Sequence, residues 1–364
     1  MYPVYVLLFA RTGLSAAEIS SLFVIWSVTG FVLEVPSGVW ADMISRRTLL
    51  ALAPVLAGAG YALWTFLPSY PAFAAGFVLW GAGGALRSGT TQALGYEELR
   101  RLGATAAYAR LAGRSEAAST VGQLVATWLA GPVLAAGGYQ VVGLASVAAS
   151  LLAAVVGLTL PESRAPRPAA DTGRGRASWW PAYAGVLRRG LAEARRTPSI
   201  RRGLMVVAVL WGVSAVDEYV PLLVQATGVR PAWLTVLVGV VTAGYAVGGF
   251  VAGRGLRWVP PGLAAGACCL AAGALTGRPA GIVLVAAGFA AAQWAHAAAE
   301  ARLQDHIGDD ARATVTSLAG LGTEVVGIAV FSGYAVGSLW LGPGPLFALA
   351  AVPYLIVALV LRRT

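Results

Sequence analysis

Residues Arg164 to Arg202 read RAPRPAADTGRGRASWWPAYAGVLRRGLAEARRTPSIRR, with ten arginines between two long apolar runs. The same residue type returns in every second loop on either side. Arg46, Arg47, Arg100, Arg101, Arg110 and Arg114 precede the stretch; Arg254, Arg257, Arg302, Arg312, Arg362 and Arg363 follow it. The intervening loops hold only Arg11, Arg230 and Arg278, while Arg87 lies inside an apolar run and lysine is absent. Cationic residues concentrated on alternate loops are the signature of a chain that crosses a membrane repeatedly with the cationic loops in the cytoplasm.

Composition agrees. Hydrophobic residues make up 58% and charged residues 12%, with a mean hydropathy of +0.72. A soluble domain has about a quarter of its residues charged. The net charge of +10 does not indicate nucleic acid, because the arginines flank apolar spans and form no compact basic domain; they suit an anionic inner leaflet. Cys268 and Cys269 are adjacent in an apolar run and read as reduced packing residues. Two histidines and no Cys/His spacing give no metal signal.

About 20 apolar residues span a bilayer as a helix. Eleven candidate spans follow: 17–41, 48–67, 72–96, 115–136, 140–160, 203–224, 232–253, 259–276, 280–303, 314–337 and 343–361. Ahead of them, Met1 to Phe9 is apolar but too short to cross. It lacks the basic start and small-residue cleavage site of a signal peptide, so it reads as the second half of a first helix whose start lies upstream; a genuinely short helix is the alternative. Counting it gives twelve spans with both termini cytoplasmic. The fold class is therefore all-α and polytopic: a six-helix bundle over 1–161, a cytoplasmic linker over 162–202 and a second six-helix bundle over 203–364. In the linker, residues 164–178 have the composition of a flexible connector. Between Trp179 and Arg196, Tyr183, Leu187 and Leu191 recur at helical spacing opposite Arg188, Arg189, Arg195 and Arg196. That pattern predicts a basic helix on the inner membrane surface, with a solvated linker as the alternative.

The loop after the second span reads Gly38-Val-Trp-Ala-Asp42-Met-Ile-Ser-Arg46-Arg47, preceded by Glu34-Val-Pro-Ser. Together with the six-plus-six plan, it resembles the major facilitator superfamily, whose signature at this place is Gly, three residues, Asp, Arg, any residue, Gly and two basic residues. Gly38, Asp42, Arg46 and Arg47 match; Met43 replaces a basic residue and Ser45 a glycine. The resemblance implies two halves that rock about a central site, and a cytoplasmic gate in which Asp42 accepts hydrogen bonds from arginines and from a helix N-terminus. An anchor of topology made of arginines alone is the other reading. The corresponding loop of the second half, Gly249 to Arg254, lacks the acid. On the fifth span, Gly122, Gly131 and Pro132 match the spacing of the family's antiporter motif, with Ala135 and Ala136 in place of its final glycine pair. The resemblance implies proton-coupled export in the drug and small-molecule antiporter branch. Ordinary helix packing by small residues and a proline bend would also account for the pattern.

Ionisable groups within the hydrocarbon are costly and usually functional. Glu34 lies eight residues from Asp42, about 12 Å along a helix. Arg87 lies ten residues from Glu97, about 15 Å by the same rise. The depths allow a Glu34–Arg87 pair, either proton-sensitive or static. Asp217 and Glu218 stand on the seventh span, toward its outer third, as candidates for proton or substrate contact; as neighbours on a helix they point about 100° apart. Glu324, mid-way along the eleventh span, is the candidate in that half for a carboxylate that takes up a proton. Glu300, Arg302 and Asp305 read as a cytoplasmic network, and His296 as a hydrogen-bonded packing group.

These observations predict a secondary transporter, foremost a proton-coupled exporter of small molecules, with an uptake permease as the alternative. No Gly-rich phosphate loop with lysine is present, so ATP does not drive it through this chain. The proton gradient takes the place of a cofactor. The expected partners are a small-molecule substrate and the lipid bilayer, with no nucleic acid, and the expected state is a monomer in the plasma membrane. A membrane enzyme would need paired catalytic acids or a nucleophile with its base; adjacent acids that point apart do not supply them. A transporter-like protein without transport activity is the remaining class.

Overall fold

The computed structural model describes residues 1–88, 90–162, 197–305 and 312–362. The linker helix expected between Trp179 and Arg196 lies outside the described residues. Among these the chain is helical and contains no strand. The helices are α1 (Tyr5–Arg11), α2 (Ala16–Met43), α3 (Arg46–Phe66), α4 (Tyr70–Arg87), α5 (Thr90–Arg101), α6 (Tyr108–Thr159), α7 (Pro198–Ser214), α8 (Val220–Ala226), α9 (Pro231–Phe250), α10 (Val259–Leu275), α11 (Gly281–Asp305), α12 (Arg312–Gly337) and α13 (Pro343–Arg362). A lipid-embedded backbone must satisfy its own hydrogen bonds, which favours helices throughout.

Nine helical stretches among the described residues are long and apolar enough to cross a membrane. Two features account for the difference from the eleven expected. The span predicted over 72–96 breaks after Arg87, where Ser88 adopts φ −48° and ψ 177°, and it continues as the separate, more polar α5. The spans predicted over 115–136 and 140–160 form the two arms of α6, joined at a kink where Gly137 and Gly138 leave helical geometry. Gly138 takes φ +66° and ψ −166°, a backbone region essentially confined to glycine. The expected seventh span is also discontinuous. α7 gives way to a 3-10 turn, Ala215–Tyr219, before α8 opens with Pro221 in its first turn.

The chain gathers into two compact units. The first comprises Met1, Ile25–Val125 and the described chain from Val133 to Glu162; the second comprises Tyr2–Val24, Ala126–Pro132 and the described chain from Thr197 to Arg362. In the first, α3 and α4 approach closely because Gly60 lies against the Gly76 carbonyl and Gly83 against that of Ala53; a Cβ there would sit 2.8 and 2.6 Å from those oxygens. Trp64, fully buried, donates its indole N–H to the Phe73 carbonyl at 3.1 Å. In the second unit, α9 meets α11 at Gly244 and Gly248, and α10 meets α11 through Gly266, Gly273 and Gly288. Small residues let backbones draw together where lipid offers no hydrophobic drive for association. Large apolar side chains stay exposed along the helices, among them Leu152, Phe250 and Val325; a hydrocarbon solvent accommodates that outer surface.

Candidate functional site

The second unit holds a cluster built around the 3-10 turn. Three residues per turn place Asp217 and Glu218 on different sides. Glu218 accepts a hydrogen bond from the Tyr5 hydroxyl of α1. Tyr219 follows, with its hydroxyl 2.6 Å from Ser20 Oγ of α2. Its ring stacks on Tyr334 of α12, centroids 3.6 Å apart and planes within 8°, and meets Phe23 edge-on at 5.3 Å. Phe331 closes against Phe23 at 5.1 Å. On the other side, Asp217 lies beside the Tyr245 hydroxyl of α9, which is buried and has no hydrogen-bond partner among the described residues. Ser214 links back to Tyr354 of α13 at 3.3 Å and to the Leu210 carbonyl at 2.9 Å. Tyr5, Tyr219, Tyr334 and Tyr354 are all buried, while Asp217 and Glu218 are half-buried. Among the described residues, neither carboxylate forms an ion pair with an arginine or histidine.

Beside this cluster a groove of about 430 Å³ opens between the α1–α2 turn, α8 and the α12–α13 turn. Leu14, Ile19, Leu222 and Leu346 make it apolar; Gln225 and Ser338 supply its polar atoms, and Tyr334 belongs to both groove and cluster. No group of three or more His, Cys, Asp or Glu that could hold a metal occurs among the described residues.

A second cluster lies in the first unit, at the start of α3. Ser45 caps the helix, accepting from the Thr48 N–H at 3.2 Å. The Glu162 carboxylate accepts from Ser45 Oγ and from the Arg46 and Arg47 N–H groups, the latter two at 2.7 and 3.3 Å. Partial burial pushes the Glu162 carboxyl up, but these hydrogen bonds and the Arg47 charge outweigh it and hold the group below its ordinary range. Arg46 is buried, with Nη1 2.7 Å from Glu97 Oε2 of α5. The contact is a charge pair without an aligned hydrogen bond, since Arg46 Nε and Nη1 have no hydrogen-bond acceptor among the described residues.

The expected site residues are distributed as follows. Arg46 and Arg47 join a cluster with Glu97 and Glu162, two acids that the motif does not contain. Glu34, Gly38 and Asp42 lie along the last turns of α2, and their side-chain surroundings fall outside the described residues. Arg87 is the last residue of α4 and is exposed, so the depth obtained by a continuous rise from Glu97 does not carry across the break at Ser88. Gly89 lies outside the described residues. Glu324 is half-buried midway along α12. Gly131 is buried against Thr235 Oγ1 of α9, leaving no room for a Cβ, whereas Gly122 faces open space and Pro132 is exposed. Asp217 and Glu218 lie among polar groups contributed by helices distant in sequence. The tyrosines and serines around them carried no sequence signal, because they come from six separate segments.

Broken apolar helices around a buried polar cluster define a polytopic membrane protein of transporter architecture. The family model of the Major Facilitator Superfamily matches residues 1–332, and the chain belongs to that family. Its structure is similar to that of a mutant form of the nucleoside transporter NupG, with a TM-score of 0.73 at 12% identity, covering 98% of this chain and 92% of that one. It is also similar to a D-xylose–proton symporter, TM-score 0.66 at 16% identity, covering 96% and 90%, and to the xylose transporter XylE from E. coli in a partially occluded inward-open conformation, TM-score 0.66 at 16% identity, covering 96% and 87%. No curated protein sequence matches the chain.

Proposed function

We propose that this chain is a proton-coupled secondary transporter of small polar solutes, working in uptake, with Asp217 and Glu218 at its coupling and substrate site. The observation that carries the reading is the position of two adjacent carboxylates within an apolar span, facing tyrosine hydroxyls and no cationic partner among the described residues. A carboxylate so placed has a proton or a cationic ligand as its natural counterpart. Hydroxyl groups and aromatic faces beside it suit solutes that carry hydroxyls and flat or apolar faces. The nucleoside transporter and the xylose–proton symporter are precedents for such work on this fold.

The reading includes two membrane halves, 1–161 and 203–364, joined by a cytoplasmic linker. It places both termini in the cytoplasm, the protein in the plasma membrane as a monomer, and the energy source in the proton gradient. Export is the second reading, supported by the close seat of Gly131 against Thr235 in the antiporter-like motif.

The test is accumulation in cells expressing the chain, using labelled pentoses and nucleosides in one panel and dyes and antibiotics in another, with and without a protonophore. Uptake predicts accumulation of a member of the first panel above control cells, abolished by the protonophore and lost in the combined Asp217→Asn, Glu218→Gln variant. Protonophore-sensitive depletion of a member of the second panel would establish export instead. No flux in either panel, with the protein in the membrane, would contradict the transport reading.

A further inference from the structure

We infer that Tyr5 is a positioning residue for transport, its hydroxyl fixing the Glu218 carboxylate and making the two adjacent acids inequivalent; the inference rests on the coupling role proposed for that pair. Glu218 is held by a donor from α1, a helix distant in sequence. Asp217 faces a different hydroxyl, that of Tyr245 of α9. Tyr5 is itself fixed: buried to 1% exposure, it packs on Phe9 at 5.5 Å and edge-on against Phe23 at 6.1 Å. A rigid phenol prepared to donate to one carboxylate oxygen sets that group's orientation before any ligand arrives, which a solvated carboxylate would not have.

The titratable groups around Glu218 are Tyr2 and Tyr5 on the α1 side and Asp217 and Tyr219 on its own turn; Tyr245 of α9 lies across from Asp217, Tyr334 of α12 is stacked on Tyr219, and Tyr354 of α13 is bonded to Ser214. Tyr5 donates a hydrogen bond to Glu218. Substituting it with phenylalanine removes one oxygen and keeps the ring packing, so a structural role and a positioning role make different predictions.

The experiment uses the full chain in liposomes. Infrared difference spectra recorded across a pH titration assign the Glu218 carboxyl band by its loss in Glu218→Gln. In Tyr5→Phe the C=O stretch of the protonated group should move to higher frequency, because a hydrogen bond to its oxygen is lost. The pH profile of proton-driven xylose or uridine uptake should move by about one pH unit or more, since a hydrogen bond to a charged group is worth about 1.5–3 kcal/mol. Tyr96→Phe, which removes an exposed phenol of α5 in the first unit, should move neither. Tyr5→Phe added to Glu218→Gln should change uptake no further. An unshifted band, or a shifted band with an unchanged pH profile, would overturn the inference. A shifted band in a chain that moves neither solute would leave the contact intact while removing the transport role on which the inference rests. If Tyr5→Phe does not fold, Tyr5→Met keeps an apolar filler without a donor, and the same band decides.

Discussion

Individual residues show where small changes are tolerated and where they are not. The two glycines of the antiporter-like motif behave oppositely. An added methyl at Gly131 meets Thr235 Oγ1, a buried β-branched side chain with little freedom to rotate. Gly131→Ala should cost about 1–3 kcal/mol by overpacking, read as a lower melting temperature in detergent, and Thr235→Ala should restore most of the loss. Gly122 faces open space, so Gly122→Ala should be neutral or raise stability by up to about 1 kcal/mol through helix propensity. Equal losses at both positions would contradict the packing described. Asp217 and Glu218 stood out in the sequence because acids in an apolar run are rare. The residues that give them chemistry did not. Tyr5, Tyr219, Tyr245, Tyr334 and Tyr354 are spread along most of the chain, and tyrosine is an ordinary resident of membrane helices. Only packing brings them together.

At the scale of elements, the termini and interruptions of helices position both candidate clusters. α3 begins on a cap supplied from the far end of α6: Glu162 accepts the Arg46 and Arg47 N–H groups and the Ser45 hydroxyl. The Glu162 carboxyl is held below its ordinary range, so the cap stabilises the fold above the ordinary carboxylate pKa of about 4.3 and is lost as pH falls through the lowered value. Glu162→Gln should lower the melting temperature at pH 7 by an amount equivalent to about 1 kcal/mol or less, given the group's partial exposure. The gap to wild type should close as pH falls below that range; a gap that widens in acid would contradict the cap. Helix existence was legible from apolar length, but interruptions were less so. The Gly137–Gly138 pair marks the kink in α6 that separates the two predicted spans. The break after Arg87 has no comparable mark in the sequence, so apolar length alone predicts one span from residue 72 to 96 with Arg87 inside it. The 3-10 turn at Ala215–Tyr219 is signalled only by Pro221 beyond it, yet it sets the two acids on separate partners.

For the molecule as a whole, the alternation of arginine between loops was enough to place the chain in the membrane, because topology is written in charges that sit at every helix end. The six-plus-six plan drawn from it, together with the Gly38–Arg47 motif, resembles the family that the match over residues 1–332 shows. Direction of transport is not written that way. The antiporter-like glycines of the sequence imply export, whereas the function proposed above is uptake. Direction and coupling depend on which protonation state each conformation favours, a difference between two states of one sequence. The most direct measurement is therefore the proton movement that accompanies the solute. A pH electrode in a lightly buffered suspension of de-energised cells expressing the chain records the medium as the accumulated pentose or nucleoside is added. Proton-coupled uptake through Asp217 and Glu218 predicts alkalinisation on addition, absent from the combined Asp217→Asn, Glu218→Gln variant. Acidification on addition, or solute entry with no pH change, would contradict it.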